Sequence, residues 1–173
     1  MYKIRELQRE DLQIINKWRN DSDLIANLGA PFRYINSDVE NRWYENYLNN
    51  RNTSVRCAIL KQDEIIGLVS LVSIDQLNQS GELHIMIGNR MWQNQGAGTF
   101  GLTEMIKHAF YNLNLRRLEL SVLETNERAC HLYEKLGFVY EGLKRQAKYK
   151  NGSFVNVRFY GLLKEDFNNK QQS

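Results

Sequence analysis

Proline occurs once in this chain, as Pro31, and cysteine twice, as Cys57 and Cys130. Two cysteines with no C-x-x-C pairing cannot build a disulfide framework. They also hold no ligand spacing with His84, His108 or His131, so no metal is expected. Both read as reduced, partly buried thiols. The opening "MYKIRELQREDL" has no hydrophobic signal core, and no apolar run approaches the ~20 residues of a membrane span. A cytoplasmic protein without a membrane partner is expected. No repeat, low-complexity tract or Pro/Gly/Ser linker divides the chain, which predicts one domain over 1–167 and a flexible tail over 168–173. There is no G-x-x-x-x-G-K-[ST], hence no nucleoside-triphosphate P-loop. Lysines and arginines are scattered rather than striped, which argues against nucleic acid as a partner. The net charge of +3 and pI near 8.8 suit a small polyanionic ligand instead.

What is present is an ordinary globular composition, 42% apolar and 25% charged over 173 residues. Residues 2–7 read as a strand and "REDLQIINKWRN" as a helix. "DSDLIANLGAPFRYIN" reads as irregular, and Ser37-Asp38-Val39-Glu40 as a capping box opening a second helix. "SVRCAIL" and "EIIGLVSLVSI" read as a hairpin across the polar turn "KQDE", followed by the strand "GELHIMIG". Leu102, Met105, Ile106, Ala109, Phe110 and Leu113 recur with helical spacing, marking an amphipathic helix laid on a sheet. A strand "RRLELSVL", a helix "NERACHLYEKLG" stopped at Gly137, and two strands around Asn151-Gly152 complete the series. The fold class is therefore α/β: a mixed, largely antiparallel sheet of about seven strands with helices on both faces.

"WQNQGAGTFG" contains a literal G-x-G-x-x-G, with Glu119 downstream where a dinucleotide fold would carry its acid. A dinucleotide turn follows its strand at once and opens the domain. Here "NRMWQNQ" intervenes, and several strands precede it. A glycine-rich loop opening a long helix is nonetheless a ready anion site, with free backbone N–H groups at the positive end of the helix dipole. Gly96 and Gly98 admit close approach; a tight turn with no ligand is the plain alternative.

Gln93-x-x-Gly96-x-Gly98, followed by "NERACHLYEKLGFVYEG", resembles the two hallmark motifs of the GNAT (Gcn5-related) N-acetyltransferases. The likeness in strand and helix order runs from about residue 2 to 163. It is nearest in character to the ribosomal-protein, spermidine and amino-sugar acetyltransferases. The resemblance implies acetyl-CoA as co-substrate, its pyrophosphate held by backbone amides of Gln93, Asn94, Gln95, Gly96, Ala97, Gly98 and Thr99. It implies the pantetheine arm against Ile85, Met86 and Ile87, and contacts from Asn126, Ala129 and Tyr133. Asn126, Ala129 and Tyr133 share one helix face with roughly 10 Å between the outer two, at 1.5 Å per residue.

Acetyl transfer to an amine needs a neutral amine, a polarised thioester carbonyl and a proton for the departing thiolate. Tyr133 is the candidate proton donor and Glu82 the candidate acceptor of the amine proton, directly or through water. Alternation places Glu82, His84 and Met86 on one strand face and Leu83, Ile85 and Ile87 on the other. A backbone N–H near Met86 or Ile87 could polarise the carbonyl. His84, Phe32, Arg33 and Tyr44 are candidate acceptor contacts. Clustered carboxylates for a polyamine are lacking: Asp21, Asp23, Asp38, Glu40 and Glu45 alternate with arginines. The expectation is a primary amine of a small molecule, an amino sugar or other small amine. A ribosomal-protein N-terminus or spermidine is the alternative, and a non-catalytic acyl-CoA-binding module or a dinucleotide oxidoreductase the rival of another class. The assembly is left open, a homodimer among the possibilities.

Overall fold

The computed structural model describes residues 1–171. Strand β1 (Tyr2–Glu6) leads through a short 3-10 turn into α1 (Leu12–Arg19), α2 (Ser22–Ala26) and α3 (Ser37–Asn49). Strands β2 (Val55–Lys61), β3 (Glu64–Asp75) and β4 (Ser80–Ile87) follow, then α4 (Ala97–Lys107) and β5 (Arg117–Leu123). The chain closes with α5 (Glu127–Leu136), β6 (Val139–Lys150), β7 (Ser153–Leu163) and α6 (Lys164–Gln171). Seven strands form one sheet in the order β1-β2-β3-β4-β5-β7-β6. Every neighbouring pair is antiparallel except β4 and β5. The mixed, largely antiparallel α/β sheet expected from the sequence is the observed one.

Two hairpins follow directly from their turn residues. Gln62 and Asp63 join β2 to β3 with φ of 54° and 64°, and Asn151 and Gly152 join β6 to β7 with φ of 49° and 87°. Two left-handed residues in succession match the twist of the flanking strands. Elsewhere the chain departs from the reading above. The stretch taken as irregular contains α2, whose first turn is capped by Asp21 Oδ1 accepting from the Asp23 and Leu24 N–H groups. Ser37 is not a cap but the first residue of α3; Asn36, an equally good capping residue one position earlier, accepts from Val39 N–H. Glu40, the other half of the expected box, is buried and paired with Arg19 at 3.0 Å. Residues 168–171, placed in the tail, continue α6, which is anchored by the buried Phe167; 172–173 lie outside the described residues.

The sheet separates two cores. Helices α4 and α5 cover one face, where Leu83, Ile85 and Ile87 meet Leu102, Met105, Ile106 and Phe110. Helices α1 and α3 cover the β1–β4 half of the other face, where Met86 and Leu68 meet Ile15, Trp18 and Tyr44. The β4 alternation is thus as the sequence indicates. Gly101 lies inside α4, and a Cβ there would stand 2.4 Å from Ile59 Cδ1. The last glycine of the apparent G-x-G-x-x-G therefore serves packing of the helix on the sheet, not ligand contact.

Candidate active site at the parting of two strands

β4 and β5 pair for only three residues, Ser80–Glu82 against Arg117–Glu119, before they diverge. Beyond that point the β5-facing backbone groups of Leu83–Ile87 have no strand to bond to, while the other edge of β4 stays paired to β3 through Ile87. A sheet interior seldom tolerates orphaned N–H and C=O groups. An extended ligand carrying amides of its own would complete the ladder.

The first turn of α4 stands at the mouth of this gap. Gly96 adopts φ +84° as its N-cap residue and Asn94 adopts φ 63°. The loop is tied down at two points: Tyr2 donates to the Gln95 carbonyl at 2.6 Å, and Gln93 Nε2 donates to the carbonyl of Ile87 in β4 at 3.0 Å. The N–H groups of Ala97, Gly98 and Thr99 are left as first-turn donors. A Cβ at Gly98 would meet Leu132 Cδ2 at 3.5 Å and Ile85 Cδ1 at 3.8 Å, so this glycine sits where α4, α5 and β4 converge. Ile85, Met86, Ile87 and residues 93–99 are thereby brought together around one slot.

Tyr133 projects from α5 into the α4–α5 core and is 8% exposed, with Phe138 and Tyr160 rings 6.0 and 6.2 Å away. Burial pushes its phenol up to about 12, because the charged form would be desolvated. Asn126 caps α5: its Oδ1 accepts from Ala129 N–H at 3.2 Å, and its Nδ2 donates to the Asn27 carbonyl at 3.1 Å. Both side-chain groups are therefore engaged within the protein, and the Ala129 amide is consumed by the cap.

The opposite sheet face carries the polar groups. Glu82 Oε1 and His84 Nε2 lie 3.1 Å apart. That contact, and secondarily the charges of His84 and Lys148, hold the Glu82 carboxyl below its ordinary range. Next to His84 the cross-strand row continues to Ser70 and Arg56. The Arg56 and Arg19 guanidiniums lie 4.9 and 4.0 Å from the Trp43 ring, and burial lowers both arginines. Over this face hangs the segment 27–36, which carries Phe32 and Arg33. It is held by Asn20 Oδ1 accepting from Ile35 N–H and by Lys150 Nζ donating to the Ile25 and Ala30 carbonyls. Tyr44, expected among the acceptor contacts, is instead buried between α1 and α3 with its hydroxyl toward the Leu7 carbonyl, near the β1 edge. A tyrosine at a core-facing α3 position is drawn into the apolar layer. Lys148 and Lys150 escaped notice in the sequence, although the Asn-Gly turn fixed the register that places them.

A concavity of about 570 Å³ lies at the β1 end and is lined by Arg5, Glu6, Arg51 and Cys57 among others. Its charges are already satisfied, Glu6 by Arg51 and Arg5 by Asp11, so it is not the site of chemistry. No cluster of metal-ligating side chains occurs among the described residues.

A family model for the acetyltransferase (GNAT) domain matches residues 3–139. Spermidine N(1)-acetyltransferase of Vibrio cholerae is 28% identical over 170 residues, 98% of this chain and 96% of the relative. The crystal structure of that organism's spermidine N-acetyltransferase in complex with CoA and spermine aligns with a TM-score of 0.88 at 27% identity, covering 96% and 97% of the two chains. A dodecameric structure of spermidine N-acetyltransferase from Vibrio cholerae aligns at 0.84 and 26%, covering 98% and 97%.

Proposed function

The chain belongs to the GNAT acetyltransferase family and is an acetyl-CoA-dependent N-acetyltransferase, and from that premise we propose that it acetylates the primary amine of a small molecule held on the α1–α3 face of the sheet. The observation that carries the proposal is the parting of β4 and β5, with unpaired amides and the α4 N-terminus on one side and Glu82–His84 on the other. A pyrophosphate fits the first-turn donors of Ala97, Gly98 and Thr99, and a pantetheine arm, which carries two amides, fits the missing ladder along Ile85, Met86 and Ile87.

Acetyl-CoA supplies the thioester. The acceptor arrives as an ammonium, which Glu82 attracts; the imidazole of His84 removes one proton, and Glu82 steadies the charge that His84 gains. The amine nitrogen bonds the acetyl carbon as the carbon–sulfur bond breaks. The second amine proton goes to the departing sulfur, so one amide and one thiol result. Tyr133 does not surrender its own proton. Against a thiol near 8.5, a phenol at about 12 makes full transfer uphill by roughly 5 kcal/mol. Its hydroxyl donates a hydrogen bond to the leaving sulfur, which a neutral phenol can do throughout the working pH range. Asn126 positions α5 through its cap, and its second amide N–H remains to bond the pantetheine arm.

For the assembly, a closed oligomer larger than a homodimer is the better expectation, since the relative described above is dodecameric. The acceptor reading is tested by CoA-thiol release with glucosamine, spermidine, an aminoglycoside and N-terminal peptides. Release with a small amine is the expected result. Release only with peptides would replace it with N-terminal acetylation of proteins, and release with none would overturn the small-amine reading.

A further inference from the structure

The β6–β7 hairpin forms the far wall of the acceptor face, and its one acid, Glu141, is paired with Arg117 at its base, so that the rest of the hairpin is one-sided in charge. Between residues 142 and 161 it carries Lys144, Arg145, Lys148, Lys150 and Arg158, and no acid. Two of these cations are committed elsewhere. Lys150 is buried and bonded to the Ile25 and Ala30 carbonyls, and Arg158 reaches Glu124 at 3.4 Å. Lys144, Arg145 and Lys148 have no carboxylate within salt-bridge distance among the described residues. Pairing fixes where they point. Phe159 opposes Ser121, Val157 opposes Leu123, Lys144 opposes Val157 and Lys148 opposes Val155. By alternation from Glu82 opposite Glu119, Lys144 and Lys148 share the sheet face of Glu82 and His84. The Lys144 ammonium lies 4.6 Å from the Phe159 ring centroid, on that face.

The hairpin also bends toward the site. Its register breaks between Lys144 and Lys148, where Gln146 takes φ 50°, and the distal half runs over to the 25–30 segment. Lys148 thereby comes near enough to Glu82 for its charge to act on that carboxyl. One platform thus presents a carboxylate together with two ammonium groups that form no salt bridge, Lys148 within electrostatic reach of Glu82 and Lys144 farther along the hairpin. A polycation would be attracted by the first and repelled by the second. A zwitterion with its amine at Glu82 and an anion toward the hairpin satisfies both. Lysine ammonium groups act on phosphate as point charges without demanding a fixed fork geometry.

We propose that the acceptor is a phosphate-bearing amine, its amino group at Glu82–His84 and its phosphate between Lys144 and Lys148; this rests on the acetyltransferase reading of the same site. The test is calorimetric titration of the CoA-saturated protein, so that the cofactor phosphate site is already filled, with glucosamine 6-phosphate against glucosamine and with phosphoethanolamine against ethanolamine. The expected result is at least tenfold tighter binding of the phosphorylated member of one pair or both. Lys144→Ala/Lys148→Ala should reduce it to the level of the unphosphorylated partner without changing CoA affinity. Equal binding within both pairs, no binding, or tighter binding of spermidine overturns the proposal. So does a loss of CoA affinity in the double variant, which would assign the lysines to the cofactor. Binding preference without turnover would overturn the bound amine as the acetyl acceptor while leaving Lys144 and Lys148 as a phosphate site.

Discussion

Tyr133→Phe removes one oxygen and nothing else, and the structure assigns that oxygen two separate consequences. In the folded protein the phenol is pushed up to about 12 by burial, whereas an exposed tyrosine ionises near 10. As pH rises above 10 the unfolded chain sheds this proton and the folded chain keeps it, so stability falls. The loss reaches roughly 1.4 kcal/mol at pH 11 and about 2.3 kcal/mol by pH 12, where the folded phenol begins to ionise too, at 1.36 kcal/mol per pH unit. Phenylalanine has no proton to shed, so guanidinium titrations should show the variant gaining on the wild type by about 1.4 kcal/mol between pH 9 and pH 11. At pH 9 the two should lie within about 1 kcal/mol, because a desolvated hydroxyl is itself a cost. In activity the direction reverses. A hydrogen bond to a developing thiolate contributes about 1.5–3 kcal/mol, so kcat should fall roughly tenfold to 150-fold while the KM for acetyl-CoA changes little. CoA-thiol release across pH 6–9.5 reads the kinetic half. An unchanged kcat would sink the role at sulfur; identical alkaline unfolding would sink the burial of the phenol.

Glu82→Gln should cut kcat/KM at least tenfold at neutral pH, since the amide attracts no ammonium and steadies no imidazolium; a change under twofold would remove Glu82 from the mechanism. Because the Glu82 carboxyl is held below its ordinary range, its contribution to stability is complete above the usual carboxylate pKa and fades as pH falls through the lowered one. The Glu82→Gln variant should accordingly lose less stability than the wild type on acidification below about pH 4. Asn126→Ala removes the α5 cap and the tie to Asn27, at about 1–2 kcal/mol and a Tm drop of roughly 2–8 °C by calorimetry. Asn126→Asp keeps the cap oxygen and should recover most of that loss, leaving only the Asn27 contact broken.

Much of this was legible beforehand because short-range chemistry decides it. Asn151-Gly152 requires its hairpin, Gly137 closes its helix in the left-handed conformation, and β4 alternates between two cores. The cofactor side was legible for the same reason, since a helix N-terminus and the strand before it lie close together in sequence. The acceptor side was not. The charge of Lys148 acts on Glu82 across 66 positions of chain, and Lys150 reaches Ala30 across 120. No local pattern announces such encounters. Tyr44 failed for the complementary reason: an aromatic on an amphipathic helix reads alike whether its face meets a pocket or a core.

The parted strands also bear on motion and order of events. Hydrogen exchange senses each backbone amide separately, and the gap-facing amides of 83–87 lack the strand bonds that protect their neighbours along β3. They should exchange quickly in the free protein and slowly once a ligand fills the slot. The gap is then bridged only in the complex, and the β4 edge beside His84, unlike the doubly paired Glu82, gains its missing bonds when the first substrate docks. An acceptor bound before that event would sit on a wall still free to breathe, so the enzyme's own architecture favours loading the thioester first.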